Sequence, residues 1–257
     1  MARLEQALRG RRDAGGACFV PYVTGGYPGV DAALLRAVAD AGADAIEVGI
    51  PHSDPVMDGG VIQHASSDAL AAGATPASVM ATVREAELDI PVALMTYVNP
   101  VLRRGVEGFL DDAAEAGVSG IIVPDLPVDE SDALAEACLA RDIDAVLLAA
   151  PGTAPARLAE IGERASGFVY CVATYGVTGA RSVLDTTAQP LVDAMRPLTD
   201  LPLLVGVGIG TPEQAREASS FADGVVVGSA LMACMVEGDR SGTLALVREF
   251  RAALPLG

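Results

Sequence analysis

Glu47 interrupts an otherwise apolar run, Ala45-Ile46-Glu47-Val48-Gly49. A carboxylate in the middle of a parallel strand faces either the covering helices or the sheet interior, and both are dry. Burying it ionised and unpaired is costly, so it is expected partly neutral or paired with an arginine. Asp54 and Asp58 lie in the segment that follows, and Asp125 ends a later apolar run. Taken singly, loop aspartates form turns more often than they catalyse. A buried acid at a strand end, with a second acid on the adjoining loop, suits general acid–base work on one substrate. His52-Ser53-Asp54 looks like a compressed triad, but consecutive residues cannot converge on one nucleophile. His64 has no second ligand near it and reads as a surface or core histidine.

Composition narrows the chemistry. All 17 cationic residues are arginine. Without lysine there is no Schiff base, no covalently held pyridoxal phosphate and no lysine-bearing phosphate loop. Two histidines cannot build a three-histidine metal site, and no metal is expected. Cys18, Cys138, Cys171 and Cys234 form no CxxC pair and read as small hydrophobes in a reducing compartment. A net charge of −17 argues against nucleic acid and anionic membranes. Stretches such as Ala165–Ala180 fall short of a membrane span, and the charged Met1–Arg12 is no signal segment. A cytoplasmic protein is expected.

An anion on such a chain is held mainly by backbone N–H groups. Glycine-rich turns stand at Gly176-Val177-Thr178-Gly179, Gly206–Gly210 and Gly228-Ser229. The last opens a helix pattern, which aims free amides and a hydroxyl at one point. Gly206–Gly210 is not a dinucleotide fingerprint, since Thr211 stands where the third glycine belongs.

These residues need a scaffold, and the chain repeats one phrase: a helix, a stop, then a β-branched run. Ala39–Gly49, Ala113–Asp125 and Ala137–Pro151 are three copies. Eight strands are expected near Cys18–Val23, Ala45–Gly49, Val92–Tyr97, Gly120–Val123, Ala145–Ala149, Phe168–Ala173, Leu203–Val207 and Val225–Val227. Amphipathic stretches lie between them, among them Asp129–Arg141, Thr187–Leu198 and Thr211–Ser219. Eight βα units in about 250 residues predict an α/β chain folded as a single (β/α)8 TIM barrel spanning 1–257, its extra N-terminal helix covering the barrel bottom. A doubly wound open sheet is the competing arrangement. Pro51–Gln63 and Thr174–Thr187 are too long for bare turns and fall at strand C-termini, where barrel enzymes keep their chemistry.

The string Glu47-Val48-Gly49-Ile50-Pro51-His52-Ser53-Asp54-Pro55-Val56-Met57-Asp58-Gly59 resembles the signature of the tryptophan synthase α-subunit family. Phe19–Thr24, Met95–Pro100, Pro124–Pro127, Gly176–Gly179 and Gly228–Ala230 follow in that family's order and spacing, so the resemblance covers essentially the whole chain. It implies a lyase that cleaves indole-3-glycerol phosphate to indole and glyceraldehyde 3-phosphate without a cofactor of its own. On the same resemblance Glu47 shuttles protons at indole C3 and the glycerol hydroxyl, while Asp58 accepts the indole N–H. Tyr170 packs near Glu47, and Thr178 orders the loop closing over Asp58. Tyr22, Met95, Tyr97, Ile122, Pro124 and Leu148 line the indole pocket, and Gly179, Gly208, Gly228 and Ser229 hold the phosphate. The implied partner is a pyridoxal-phosphate β subunit in an α2β2 complex, met through Pro51, Asp54, Asn99 and Pro100. Three departures stand out: His52 replaces an aromatic Phe or Tyr, Gly60 replaces a proline, and Ala173-Thr174-Tyr175 lacks a serine. They leave two other readings open, an allosteric activator with weak lyase activity and a stand-alone lyase releasing indole.

Overall fold

The computed structural model describes residues 4–172, 187–206 and 208–257. The chain opens with α1 (Leu4–Asp13), β1 (Cys18–Thr24), α2 (Ala32–Asp40), β2 (Ile46–Gly49), α3 (Gly60–Ala71) and α4 (Pro76–Ala86). It continues with β3 (Val92–Met95), α5 (Val98–Arg104), α6 (Val106–Glu115), β4 (Gly120–Ile122), α7 (Asp132–Leu139), β5 (Asp144–Ala149) and α8 (Pro155–Arg164). It ends with β6 (Val169–Val172), α9 (Ala188–Met195), β7 (Leu203–Gly206), α10 (Pro212–Ala218), β8 (Gly224–Val227), α11 (Ser229–Val236) and α12 (Arg240–Ala253). The eight strands are parallel, pair in chain order and close when β8 meets β1, with Phe19 opposite Val225. This is the expected barrel, and closure excludes the open sheet.

Burial falls into two shells. Residues pointing outward from the strands, such as Phe19, Ile46, Ile121 and Val205, pack beneath the helices. Their alternates fill the barrel, with Cys18, Val20, Ala93, Ile122, Val146 and Leu204 among them. The two-residue period of a strand makes this division.

The floor is sealed by α1, as expected. Leu4 and Leu8 are fully buried and belong to the interior cluster. Leu4 lies where side chains at Gly120 and Gly167 would stand, so those two glycines are what admit it. Glu5 N–H donates to the buried Asp144 carboxylate at 3.0 Å, and Cys18 Sγ donates to the Leu8 carbonyl at 3.2 Å. Asp44 ties the floor together, accepting from Phe19 N–H at 2.8 Å and pairing with Arg11 and Arg251.

Several boundaries move from those expected. β3 stops at Met95, because Tyr97 is already the N-cap of α5, a helix not among those expected from the sequence. Asp125 does not end β4; it is exposed and accepts from Val98 N–H at 2.9 Å, holding the first turn of α5. Asp129–Arg141 is not one helix: a 3-10 turn at Val128–Glu130 precedes α7, and the Ser131 hydroxyl bonds back to the Val128 carbonyl. Past α9 the chain tightens into a 3-10 turn at Arg196–Leu198, where Pro197 has no N–H to give. The Thr211–Gln214 capping box forms as expected, and the Gln214 amide oxygen also accepts from Gly210 N–H at 2.7 Å. It thereby fixes the turn after β7. The long segment after β2 is shorter than expected, since α3 starts at Gly60.

Gly60 is the first helical residue, follows an extended Gly59 (ψ 163) and has open space where a side chain would stand. Proline is well suited to that position. Gly60→Pro is expected to raise stability by about 0.5–1 kcal/mol. A thermal melt followed by circular dichroism checks it: Tm should rise by roughly 1–4 °C.

Candidate active site

Glu47 sits on β2 opposite Tyr22 of β1 and Ala93 of β3. Its side chain points into the barrel and is only 1% exposed. One carboxylate oxygen, Oε2, is buried without a hydrogen-bond partner, and among the described residues no arginine pairs with it. The structural ion pair left open by the sequence is therefore absent there. Burial pushes the Glu47 carboxyl up to about 8, and the negative charge of Asp58 adds to the rise.

Asp58 lies on the segment between β2 and α3. Burial lifts its carboxyl to about 6, held back by a hydrogen bond from the Tyr97 hydroxyl, which donates to Oδ2 at 3.2 Å. The same phenol oxygen accepts from Met57 N–H at 3.0 Å. Tyr97 thus fixes both the acid and the backbone that carries it. Tyr97 itself is covered by His52, whose ring stacks on it with centroids 4.6 Å apart and planes 16° off parallel.

Both acids face one cavity of about 340 Å³ at the C-terminal mouth of the barrel, a size suited to a small ligand. Tyr22, Met95, Ile122, Pro124, Leu148, Tyr170, Gly208, Gly228 and Ser229 line it, as the sequence reading has them. Two glycines make room for its aromatic walls. A side chain at Gly206 would meet the Tyr170 ring at 2.4 Å, and one at Gly49 the Tyr22 hydroxyl at 2.2 Å. Burial pushes both phenols well above their ordinary range, so they stay protonated. Tyr97 is a correction: it does not line the cavity but stands behind Asp58.

The end of the cavity expected to take an anion is lined by backbone. Gly208 takes a left-handed conformation (φ 93) at the turn after β7. Gly228 caps α11 without a side chain, which leaves the first amides of that helix to face the cavity beside Ser229. Among the described residues no arginine lines the cavity. Thr178 and Gly179 lie outside the described residues, as does Ala173-Thr174-Tyr175. The sequence reading missed Val61, Ile62, Val172, Ile209, Ala233 and Leu246, which also line the cavity. Apart from Ile209, in the turn after β7, they are ordinary helix and strand hydrophobes, and no spacing marks them. Among the described residues no three His, Cys, Asp or Glu gather as a metal site.

The residues expected at a partner interface gather on the outer side of the same rim. Pro51, Asn99 and Pro100 line a depression of about 970 Å³ with His52, Ser53, Leu70 and Leu102. Asp54 lines an adjoining one with Pro55 and Val56. Val56 and Leu102 are 69% and 60% exposed there.

Comparisons with known proteins agree with one another. The family described as Tryptophan synthase alpha chain matches residues 8–252. The tryptophan synthase alpha chain of Streptomyces avermitilis is 45% identical, over 99% of this chain and 94% of that one. That of Carboxydothermus hydrogenoformans is 44% identical, over 90% and 88%. A solved structure of Mycobacterium tuberculosis tryptophan synthase superposes with a TM-score of 0.92 at 39% identity, covering 100% of this chain and 99% of that one.

The unpaired carboxyl has a consequence for stability. Between about 4.5 and about 8 the folded Glu47 keeps a proton that the unfolded chain has lost. The folded state binds more protons in that window, so this group's contribution to stability falls as pH rises through it. Glu47→Gln is expected to melt near wild type at pH 4.5 and higher than wild type at pH 9, by roughly 3–8 °C. Paired melts across that range check the sign; a gap that shrinks with rising pH would contradict it.

Proposed function

The chain belongs to the tryptophan synthase alpha chain family, and from that premise we propose how its two carboxylates divide the work. The enzyme is the lyase of tryptophan biosynthesis that cleaves indole-3-glycerol phosphate to indole and glyceraldehyde 3-phosphate. One observation supports the division. Two acids on one cavity have their pKa values pushed apart, Glu47 to about 8 and Asp58 to about 6. At neutral pH the first carries a proton and the second a charge.

The indole ring lies between Tyr22, Met95, Ile122 and Leu148, with its N–H toward Asp58. The phosphate is held by the amides at Gly208, Gly228 and Ser229. Glu47 gives its proton to indole C3, and the positive charge that appears on the ring nitrogen is stabilised by the Asp58 carboxylate. The Glu47 carboxylate then takes the proton of the glycerol hydroxyl nearest the ring. That oxygen forms the aldehyde carbonyl as the C3–C bond breaks, and the bonding pair returns to the ring and neutralises the nitrogen. Glu47 ends protonated, as it began. Tyr170 walls the cavity together with Glu47.

Relatives of this family pair with a β subunit, which carries the pyridoxal phosphate. We place that contact on the depression at Pro51, Asn99 and Pro100 with Asp54 beside it, in an α2β2 assembly, and this chain needs no cofactor of its own. No described helix is long and apolar enough to cross a membrane, and a cytoplasmic enzyme fits the soluble intermediates of the pathway. The intact pair of acids favours a working lyase over an activator that has lost its chemistry.

Indole release from indole-3-glycerol phosphate, measured alone and with a β subunit, tests the reading. Glu47→Gln and Asp58→Asn are each expected to lower kcat by roughly 10²–10⁴-fold with the fold intact. For wild type, kcat/KM should be bell-shaped, rising as Asp58 ionises near pH 6 and falling as Glu47 loses its proton near pH 8. Unchanged turnover in Glu47→Gln overturns the assignment. Fast release without the partner marks a stand-alone lyase.

A further inference from the structure

Asp58 stands on a segment that touches the barrel only lightly. Between Pro51 and Gly59 the chain is irregular, and Val56 and Met57 are 69% and 51% exposed. Two side chains restrain it: Gln63 Nε2 of α3 donates to the Asp58 carbonyl at 2.9 Å and to the Pro55 carbonyl at 3.4 Å, and Tyr97 from a neighbouring strand end holds the carboxylate itself. The Tyr97 hydroxyl donates to Asp58 Oδ2 and accepts from Met57 N–H, while its ring is buried to 3%. A phenol serves two partners only if its ring plane is fixed, since the ring carries the oxygen through an arc as it rocks. The face of Tyr97 that matters is closed by His52, stacked at 4.6 Å and 16°. His52 is half-buried, and it forms part of the wall of the outer depression.

We propose that His52 is a positioning residue for the reaction: its ring clamps Tyr97, and through Tyr97 it sets where the Asp58 carboxylate stands in the cavity. This deepens the lyase reading of the site and rests on it. His52 does not touch the cavity, so its effect runs through another side chain and not through substrate contact. Stacked rings of this geometry favour one another beyond mere burial, and small displacements of a catalytic group have large effects on rate. Because His52 also walls the outer depression, anything seated there meets the far side of the same clamp.

The groups acting on Asp58 give the test its readout. Burial raises the Asp58 titration and the Tyr97 hydrogen bond pulls it down, while Glu47 lines the same cavity. His52→Ala, measured as indole release, is expected to lower kcat by roughly three- to tenfold with KM within about twofold. The acidic limb of its kcat/KM profile should move to higher pH, toward that of Tyr97→Phe. His52→Phe keeps a flat ring and should bring both kcat and the limb back toward wild type. A melt of each variant separates loss of fold from loss of position. His52→Ala with wild-type kcat and an unmoved limb overturns the proposal, as does a His52→Phe variant that behaves like His52→Ala. Wild type and Asp58→Asn are run alongside. Failure of those two arms counts against the lyase reading itself, whereas failure confined to the His52 arms counts against the clamp alone.

Discussion

A carboxyl group sealed inside a barrel, with no counter-ion among the described residues, is the constraint around which this molecule is arranged. Water would solvate Glu47 far better than the interior does, and the chain forgoes that solvation. The result is a proton held near neutrality, ready to be given and retaken. Everything that keeps the interior dry serves this end. Helix α1 seals the floor with Leu4 and Leu8, and Asp44 ties that seal to β1 and α12 through Arg11 and Arg251. The remaining opening is at the C-terminal mouth, where the substrate itself would complete the enclosure.

The second acid is set apart from the first by its surroundings. Asp58 lies near the rim, takes a hydrogen bond from Tyr97 and is less strongly shifted. Two carboxyls with different solvation thus acquire different protonation states at one pH, with no cationic side chain lining their cavity among the described residues. The anion end follows the same economy. A chain with 34 acidic residues and no lysine lines this end of its cavity with the neutral backbone of Gly208 and Gly228. Its arginines spend themselves elsewhere, as in Arg104 with Asp112 and Arg240 with Asp31 on the surface.

The repeat of helix, stop and β-branched run made the barrel readable, because a strand buried on both faces leaves a near-continuous apolar trace. Glu47 was readable for the converse reason: one charged residue in such a trace has no solvent to reach. The capping box at Thr211 was legible since its two hydrogen bonds depend on residues three apart. Helix α5 was not. Val98-Asn99-Pro100-Val101-Leu102-Arg103-Arg104 is short, with a proline in its first turn, and its start is fixed by Asp125 from another βα unit. The same holds for Tyr97. Its place in the sequence resembles a pocket residue, yet its role is set by Asp58 and His52, which reach it from a different strand end. Local pattern carries the elements; pairings across elements are carried by the closed fold.

Closure of the barrel joins the first strand to the last, residues 18–21 against 224–227. Such a pairing cannot form until nearly the whole chain is available, and contacts this distant in sequence form late because the intervening loop must first be closed. Strand β2 with Glu47 lies beside β1, on the side of the sheet that has no inner wall until that pairing is made. The burial that raises the Glu47 carboxyl is complete only in the closed ring. The pairing that completes the architecture is thus also part of what keeps the surroundings of Glu47 dry.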